Sequence, residues 1–401
     1  MQQCNKTLKS FFGHEMQAKG LQTFTVECCG KESTVDFVIV DCEVSAILGY
    51  ETSNAMGLVR RVHTVIDPRT KLINDNRDVF GGLGAYDRPY DIHLDPTVET
   101  VVQPRYRVPY SRMQPLKDAL DSLAQRGVIA EVNRPTEWVH NLVVTEKTNG
   151  SLRICLDPQP LNEAIKRERF QIPTPEDVQA KLSGCKVFSV VDMKDSYWQV
   201  RLTDEASFLC TFHAPWGRKR FLRMPFGISS ASEVMQKRNE EAFSDLHGVH
   251  VIADDIIVAA PTEEEHDACL QKLIDRAREK NVKFNPEKLQ YKVLSVQYMG
   301  NIVSDKGLAP SQDKVRAIQK MPRPTDKKGV QRFLGMVRFL SQFVPNMSQM
   351  TAPLRNLLKE DVVWEWTPEA EMAFNALKEA ISRPVMLQFF DATKQVRLEK
   401  H

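Results

Sequence analysis

Residues 251–260 read VIADDIIVAA, so two adjacent aspartates, Asp254 and Asp255, interrupt an otherwise apolar stretch. A buried, unpaired carboxylate is costly enough that it normally takes up a proton, so the pair indicates either a solvated turn or a bound cation. The flanking residues predict a β-hairpin with Ala253-Asp254-Asp255 as its turn. Taken alone, the stretch leaves both interpretations open.

Bulk composition excludes several classes of protein. The chain has 401 residues, 42% of them hydrophobic and 26% charged, with a formal net charge of +2, which is typical of a globular protein of two or three domains. The eight cysteines show neither CxxC pairs nor Cys/His ligand spacing, which disfavours a structural zinc site and a disulfide scaffold. The absence of a long apolar run and of a signal-peptide core predicts a soluble, cytoplasmic protein with no membrane partner.

The composition and the hydrophobic pattern of the sequence change along the chain. Residues 8–62 alternate like short strands, and residues 67–112 are rich in Pro, Asp and Arg, which predicts an extended connector. Helical spacing begins near residue 113, and a hairpin with the turn TNG follows. The stretch KVFSVVDMKDSYWQVRL then predicts a strand that ends at Asp192. Mixed elements of this kind indicate an α+β layered domain.

The end of that strand and the DD hairpin predict a site. Adjacent antiparallel strands would bring Asp192, Asp254 and Asp255 within a few ångström. Three nearby carboxylates repel one another unless divalent cations compensate, and oxygen-only ligands favour Mg²⁺ or Mn²⁺. Two such ions about 4 Å apart can activate an attacking oxygen and stabilise a leaving one in phosphoryl transfer. This pattern therefore predicts nucleotidyl transfer with two metal ions.

Several motifs, in their order and spacing, resemble the pol polyprotein of gypsy-type LTR retrotransposons. They are WVHNLVVTEKTNGSLRICLDPQPLN, FSVVDMKDSYWQVRL, FHAPWGRKRFLRMPFGISSASEVMQ, VIADDIIV, VQYMGNIVSDKGLAP and FLGMVRFLSQFVPNMS. The resemblance implies a reverse transcriptase, an RNA-directed DNA polymerase, with a right-hand α+β fold of fingers, palm and thumb around an antiparallel palm sheet. It also makes the turn-only interpretation of the DD pair untenable.

The resemblance assigns roles to individual residues. Asp192 and Asp254 match the main metal ligands, and Asp255 matches a supporting carboxylate. The dNTP-binding positions are Lys147, Arg153, Met193, Lys194, Asp195, Ser196, Tyr197, Phe226 and Gly227, with Tyr197 as a steric gate against the 2′-hydroxyl. Gln236 matches a template-side position, and Tyr298, Met299 and Gly300 match the primer grip. A core role for the Tyr197 ring and an ordinary hairpin at Tyr298–Gly300 are the structural alternatives.

The resemblance also implies a division of the chain into domains. Residues 1–66 resemble the C-terminal part of an all-β retropepsin-like aspartic protease, and residues 67–112 are a linker. Fingers and palm span 113–308, the thumb spans 309–360, and 361–401 form a connection towards a truncated RNase H domain. Because no Asp-Thr-Gly or Asp-Ser-Gly occurs in the chain, no protease activity is expected. The resemblance stops where the RNase H domain would begin, so no RNase H activity is expected either.

The implied partners are an RNA or DNA template with its primer, dNTPs, and either a second copy or the remainder of the pol polyprotein, in a virus-like particle. Ten Lys and Arg residues within 311–360 predict phosphate contacts by the thumb. The sequence departs from the retroviral pattern at Ile252, where a tyrosine is usual. An inactive, nucleic-acid-binding relic and an aspartic protease are the competing hypotheses.

Overall fold

The computed structural model describes residues 7–9, 15–28, 31–41, 47–59, 67–146, 150–383 and 386–389. The chain divides into two compact units, Met1–Lys71 and Leu72–His401. Across the described ranges, no helix is both long and apolar enough to cross a bilayer.

The first unit contains two antiparallel hairpins. Their strands are β1 (Thr7–Lys9), β2 (Glu15–Gln17), β3 (Gly20–Cys28) and β4 (Lys31–Ile39). The predicted small β unit is therefore present. The later part of residues 8–62 differs from the predicted strands, because it contains the short helix α1 (Tyr50–Ala55). The relation of this unit to a retropepsin-like protease stays a prediction.

The predicted linker, residues 67–112, is more than a connector. Helix α2 (Pro68–Asp75) leads from the first unit into α3 (Arg77–Phe80), and from Leu72 onward the segment belongs to the second unit. Its apolar side chains enter that unit's core, where Phe80, Tyr86 and Tyr90 are at most 6% exposed. The high content of Pro and Asp hid this burial, because the aromatic residues are spaced too irregularly to show a strand or helix period.

The second unit is an α+β layered structure. Its remaining helices are α4 (Tyr110–Gln125), α5 (Gln159–Ala164), α6 (Pro175–Gln179), α7 (Asp204–Leu209), α8 (Ala231–Phe243), α9 (Glu263–Glu279), α10 (Gln312–Gln319), α11 (Lys327–Phe339), α12 (Met347–Asn356) and α13 (Pro368–Ser382). Its strands are β5 (Ile129–Glu131), β6 (Asn141–Glu146), β7 (Leu152–Asp157), β8 (Val187–Asp192), β9 (Thr211–Ala214), β10 (Gly217–Phe221), β11 (Val249–Ile252), β12 (Asp255–Ala260), β13 (Gln290–Val293), β14 (Ser295–Tyr298), β15 (Asn301–Ser304) and β16 (Gly307–Pro310).

A four-stranded antiparallel sheet in the order β11-β12-β8-β13 forms the centre of this unit. Its two faces line different hydrophobic cores, because successive residues of a strand point to opposite sides. In β12, Ile256 and Val258 belong to one core, which also holds the buried residues of the N-terminal half of the unit. Ile257 and Ala259 belong to a second core, which they share with the C-terminal helices α10–α13.

Smaller sheets flank this central one. They are β5-β10-β9, the hairpin β6-β7 and the meander β14-β15-β16. Helix α11 packs through one face, since Val330, Phe333 and Val337 are fully buried and the Phe333 ring lies 4.6 Å from that of Phe374 in α13. The predicted thumb and connection segments therefore pack in one core.

The N-terminus of α9 is capped and acidic. Thr262 is the N-cap of α9, and its Oγ1 accepts a hydrogen bond from the Glu265 N–H at 3.3 Å, which is one half of a capping box. Three glutamates occupy the first turn of that helix, where they interact favourably with the helix dipole.

We expect acid to destabilise the fold through His140, which is fully buried with Nε2 3.0 Å from the Leu209 carbonyl oxygen. Burial lowers the pKa of His140 to about 4, whereas the unfolded chain titrates near pH 6.5. Between these values only the unfolded state binds the proton, so stability falls as the pH drops through this window, by up to about 3 kcal/mol.

Urea unfolding at pH 7.5 and pH 4.5 would measure this loss, with His140→Gln as the comparison because an amide can still donate to Leu209. The variant should lose less stability than the wild type. Equal losses would contradict the assignment to His140.

Candidate active site

The three predicted carboxylates meet at one end of the central sheet. Asp192 is the last residue of β8 and Asp255 the first of β12, and the two are directly opposite each other in the antiparallel register. Ile252 pairs with Asp255, so Ala253 and Asp254 form the two-residue turn between β11 and β12. Ala253 has φ +53°, a left-handed conformation that a non-glycine residue adopts only when its surroundings hold it there.

Burial and mutual repulsion perturb these carboxylates. Burial, followed by the charges of Asp254 and Asp192, raises the pKa of Asp255 to about 6. Burial also raises the pKa of Asp254, with Asp192 adding to the effect. Crowded, desolvated acids of this kind are the expected neighbours of a cation.

A lysine that the sequence reasoning missed supplies a positive charge. Lys288 donates from Nζ to Asp192 Oδ2 at 2.7 Å. Burial alone would lower the pKa of Lys288, but the hydrogen bond to Asp192 and the charges of Asp192, Asp254 and Asp255 raise it. Lys288 lies 96 residues from Asp192 in the chain, in a segment where no sequence pattern marks it.

The side chains of Gln236 and Asn239 in α8 form hydrogen bonds with the backbone of the turn between β11 and β12. The Ala253 N–H donates to Gln236 Oε1 at 2.7 Å, and Gln236 Nε2 donates to the Val251 carbonyl at 3.1 Å. The Asn239 amide donates to the Ala253 carbonyl and accepts from the Tyr86 hydroxyl at 2.5 Å. The Gln236 side chain is fully buried and engaged in these bonds, and the predicted template contact by this residue stays a prediction.

Several of the predicted dNTP-binding residues lie together. The rings of Tyr197 and Phe226 are 5.0 Å apart, and the Arg153 guanidinium lies 5.5 Å from the centre of the Phe226 ring. The Tyr197 hydroxyl is 2.8 Å from Ser232 Oγ, and the ring is half-buried. Gly227 has φ +114°, and a Cβ there would meet the Leu156 carbonyl oxygen at 2.2 Å. Lys147 lies outside the described residues.

The segment 193–196 offers fewer free amides than predicted. The Met193 N–H donates to the Asp254 carbonyl at 2.9 Å, and the Lys194 N–H donates to the Lys283 carbonyl at 3.0 Å. Asp195 and Ser196 remain as the candidates of this set for contact with a triphosphate. The Asp195 carboxylate forms an ion pair with Arg126.

The predicted primer grip is the turn between β14 and β15. Met299 and Gly300 both have positive φ, as the two central positions of a type I′ turn require. Tyr298 is only 2% exposed and packs in the second core, and its predicted contact with the primer stays a prediction.

The carboxylates have the chemistry of cation ligands, although they are not yet arranged as a coordination site. Within the ranges that the structure describes, no three His, Cys, Asp or Glu side chains already form a metal-binding cluster. Asp192 instead forms an ion pair with Lys288, whose Nζ lies 2.7 Å from Asp192 Oδ2. Three convergent carboxylates suit hard divalent ions.

Comparison with known proteins agrees with this geometry. Residues 145–303 match the reverse transcriptase (RNA-dependent DNA polymerase) family. The chain is 30% identical over 296 residues to the Transposon Tf2-3 polyprotein of Schizosaccharomyces pombe, a match that covers 73% of this chain and 22% of that polyprotein. The Tf2-7 polyprotein of the same organism matches with the same identity and coverage. The chain thus spans 22% of the length of these curated relatives, and the predicted relation to retrotransposon polyproteins is confirmed.

Two solved structures share the fold. A foamy viral protease-reverse transcriptase in complex with double-stranded DNA superposes with a TM-score of 0.74 and 17% identity, covering 98% of this chain and 72% of that one. The foamy viral protease-reverse transcriptase in complex with an RNA/DNA hybrid gives a TM-score of 0.72 and 17% identity, covering 96% and 55%. The predicted α+β polymerase architecture is therefore confirmed.

Proposed function

We propose, from the premise that residues 145–303 belong to the reverse transcriptase family, that this chain is an RNA-directed DNA polymerase of a retrotransposon. The single observation that carries the proposal is the pairing of Asp192 with Asp255 beside the Asp254 turn. The substrates we propose are a primed RNA or DNA template and dNTPs.

Each part of the site has a defined task in this proposal. Asp192, Asp254 and Asp255 would hold two divalent ions, Mg²⁺ or Mn²⁺, which supply charge stabilisation to the attacking and leaving oxygens. Gln236 and Asn239 fix the turn on which Asp254 lies. Arg153 projects from β7 towards the Phe226 ring, where a guanidinium can pair with phosphate oxygens.

Primer extension tests the proposal directly. A DNA primer on an RNA template should be lengthened in the presence of dNTPs and Mg²⁺ or Mn²⁺, and not when EDTA is added. Failure to extend on RNA and DNA templates with either metal, while the protein binds the duplex, would favour the inactive relic.

Replacing Tyr197 by alanine should raise the use of rNTPs relative to dNTPs by about tenfold or more, because the ring that would press on a 2′-hydroxyl is lost. Single-nucleotide incorporation of matched dNTP and rNTP pairs measures the ratio. Tyr197→Phe is the control, since it keeps the ring and removes only the bond to Ser232. Unchanged discrimination in Tyr197→Ala would return the ring to a packing role.

Divalent cations should raise the melting temperature more at pH 8 than at pH 5.5. The pKa of Asp255, about 6 in the folded protein, lies above its unfolded value of about 3.9. The folded protein without metal therefore loses stability as the pH rises through 6, and a cation restores it. Thermal melts with MnCl₂, against NaCl at equal ionic strength, measure this, and Asp254→Asn should reduce the shift. An equal shift at both pH values would contradict the site.

A further inference from the structure

Segment 76–94 precedes the range that matches the reverse transcriptase family, which begins only at residue 145. The segment is nevertheless built into the core of the second unit. Its side chains Val79, Phe80, Tyr86, Tyr90 and Ile92 are at most 6% exposed. Burial of this depth makes segment 76–94 part of the same folded unit as the three aspartates.

Backbone hydrogen bonds attach this segment to the strand that carries Asp192. The Phe284 N–H donates to the Val79 carbonyl at 2.9 Å. The N–H of the next residue, Asn285, donates to the Asp192 carbonyl at 2.8 Å. Two consecutive residues therefore join segment 76–94 to the end of β8.

The hydroxyl of Tyr86 reaches the turn that carries Asp254 through one side chain. It donates to Asn239 Oδ1 at 2.5 Å, and the Asn239 amide donates to the Ala253 carbonyl. Asn239 is fully buried and Tyr86 is 5% exposed, so bulk water does not compete for these bonds. Burial raises the pKa of Tyr86 above its usual value, so the hydroxyl keeps its proton and remains a donor.

These two bonds hold the peptide that links Ala253 to Asp254. The Ala253 carbonyl belongs to that peptide, and the φ of +53° at Ala253 persists only while its surroundings hold it. Without the Tyr86 hydroxyl, Asn239 Oδ1 would be a buried acceptor with no donor, and the side chain would shift towards another partner. The peptide before Asp254 would then move with the Asn239 amide.

We propose that Tyr86 is a positioning residue for Asp254, whose hydroxyl acts through Asn239 to hold the peptide that carries this carboxylate in place. This inference rests on the proposed function. The buried hydroxyl touches neither substrate nor cation, so its effect passes through the Asn239 amide. The functional polymerase therefore begins at or before residue 76, well ahead of the matched range.

Tyr86→Phe in the full chain tests this inference, because it removes one oxygen and keeps the buried ring. Single-nucleotide incorporation should slow by about tenfold, since a small misplacement of a catalytic group has a large effect on rate. The rise in melting temperature with MnCl₂ at pH 8 should fall to about half or less, which reports on the aspartates without any turnover. The affinity for the primer–template, measured by fluorescence anisotropy, should stay within about twofold, because a positioning defect changes the rate and not the binding.

Tyr90→Phe is the matched control, because Tyr90 is 6% exposed in the same segment and its hydroxyl lies beside Ser230 and not Asn239. It should extend primers and respond to MnCl₂ as the wild type does. A Tyr86→Phe protein that behaves like Tyr90→Phe in both assays would overturn the inference. Equal losses of rate and of primer–template affinity would overturn it as well, since they would indicate a general defect of the fold.

A double-mutant cycle tests the route through Asn239. If the Tyr86 hydroxyl acts through that amide, adding Tyr86→Phe to Asn239→Ala should change the rate by less than about twofold. A further loss of about tenfold in this background would show that Tyr86 acts by another route and would contradict the inference. Thermal melts of each variant establish that folded proteins are compared.

The outcomes also distinguish this inference from the proposed function. Primer extension at equal rates by Tyr86→Phe and Tyr90→Phe, with equal MnCl₂ shifts, keeps the polymerase and refutes the role of Tyr86 alone. A wild type that never extends a primer refutes the polymerase, and the MnCl₂ shifts of the two variants then decide whether Tyr86 positions Asp254.

Discussion

Asp254→Asn should reduce primer extension by about a thousandfold or more while leaving the affinity for the primer–template unchanged or slightly tighter. The amide has nearly the same shape, so the turn between β11 and β12 survives. It lacks the negative charge that would hold a divalent ion opposite Asp192, and the attacking oxygen then loses its electrostatic support. Single-turnover extension and anisotropy on the same preparation measure the two quantities separately.

The control is Asp121→Asn, the same chemical change at an exposed position of α4. It should extend primers at the wild-type rate. Extension by Asp254→Asn within a few-fold of the wild type would refute the assignment of the site. A large loss of binding would show instead that Asp254 supports the fold or the nucleic-acid surface.

Gln236→Met should lower extension by about a hundredfold, because a misplacement of a catalytic group by about 1 Å has an effect of this size. The substitution keeps the length of the side chain but leaves the buried Ala253 N–H and the Val251 carbonyl without their partners. Unsatisfied buried groups cost about 1–3 kcal/mol each, so the turn should relax from the strained φ of Ala253.

Gln271→Met in the exposed face of α9 is the matched control, where the side chain bonds only to Asp275 at 3.0 Å. A single-nucleotide incorporation assay, run beside thermal melts, separates position from folding. If Gln236→Met extends primers at the rate of Gln271→Met, the amide does not position Asp254.

The sequence was sufficient to locate the aspartates but not their supports. Asp192 and Asp255 could be paired from sequence, because each acid marks the point at which an apolar strand ends. The packing around them could not be predicted. Lys288 and Tyr86 approach the site from distant segments, and no local period records which residues meet across a fold.

Burial distinguishes two of the predicted contact residues from the others. Gln236 and Tyr298 carry polar groups typical of a ligand-contacting surface, yet both are nearly inaccessible. On α8 the buried face includes Glu233, Gln236 and Asn239, so the hydrophobic pattern that would reveal an inward face is weak there. In residues 67–112 the composition misled in the opposite direction. The many polar residues suggested an exposed connector, although Phe80, Tyr86 and Tyr90 are buried.

The central sheet has a mechanical consequence through its two cores. Ile256 and Ile257 are neighbours in sequence but belong to different hydrophobic cores. The strand that begins at Asp255 therefore separates the two cores and packs against both. Close-packed interiors transmit strain, so a change in the packing of either core shifts β12. The C-terminal helices α10–α13 contribute side chains to the second core. These helices therefore help to hold in place the end of β12 at which the aspartates lie, and a chain that ended at β16 would lose the side chains that α10–α13 contribute to this core.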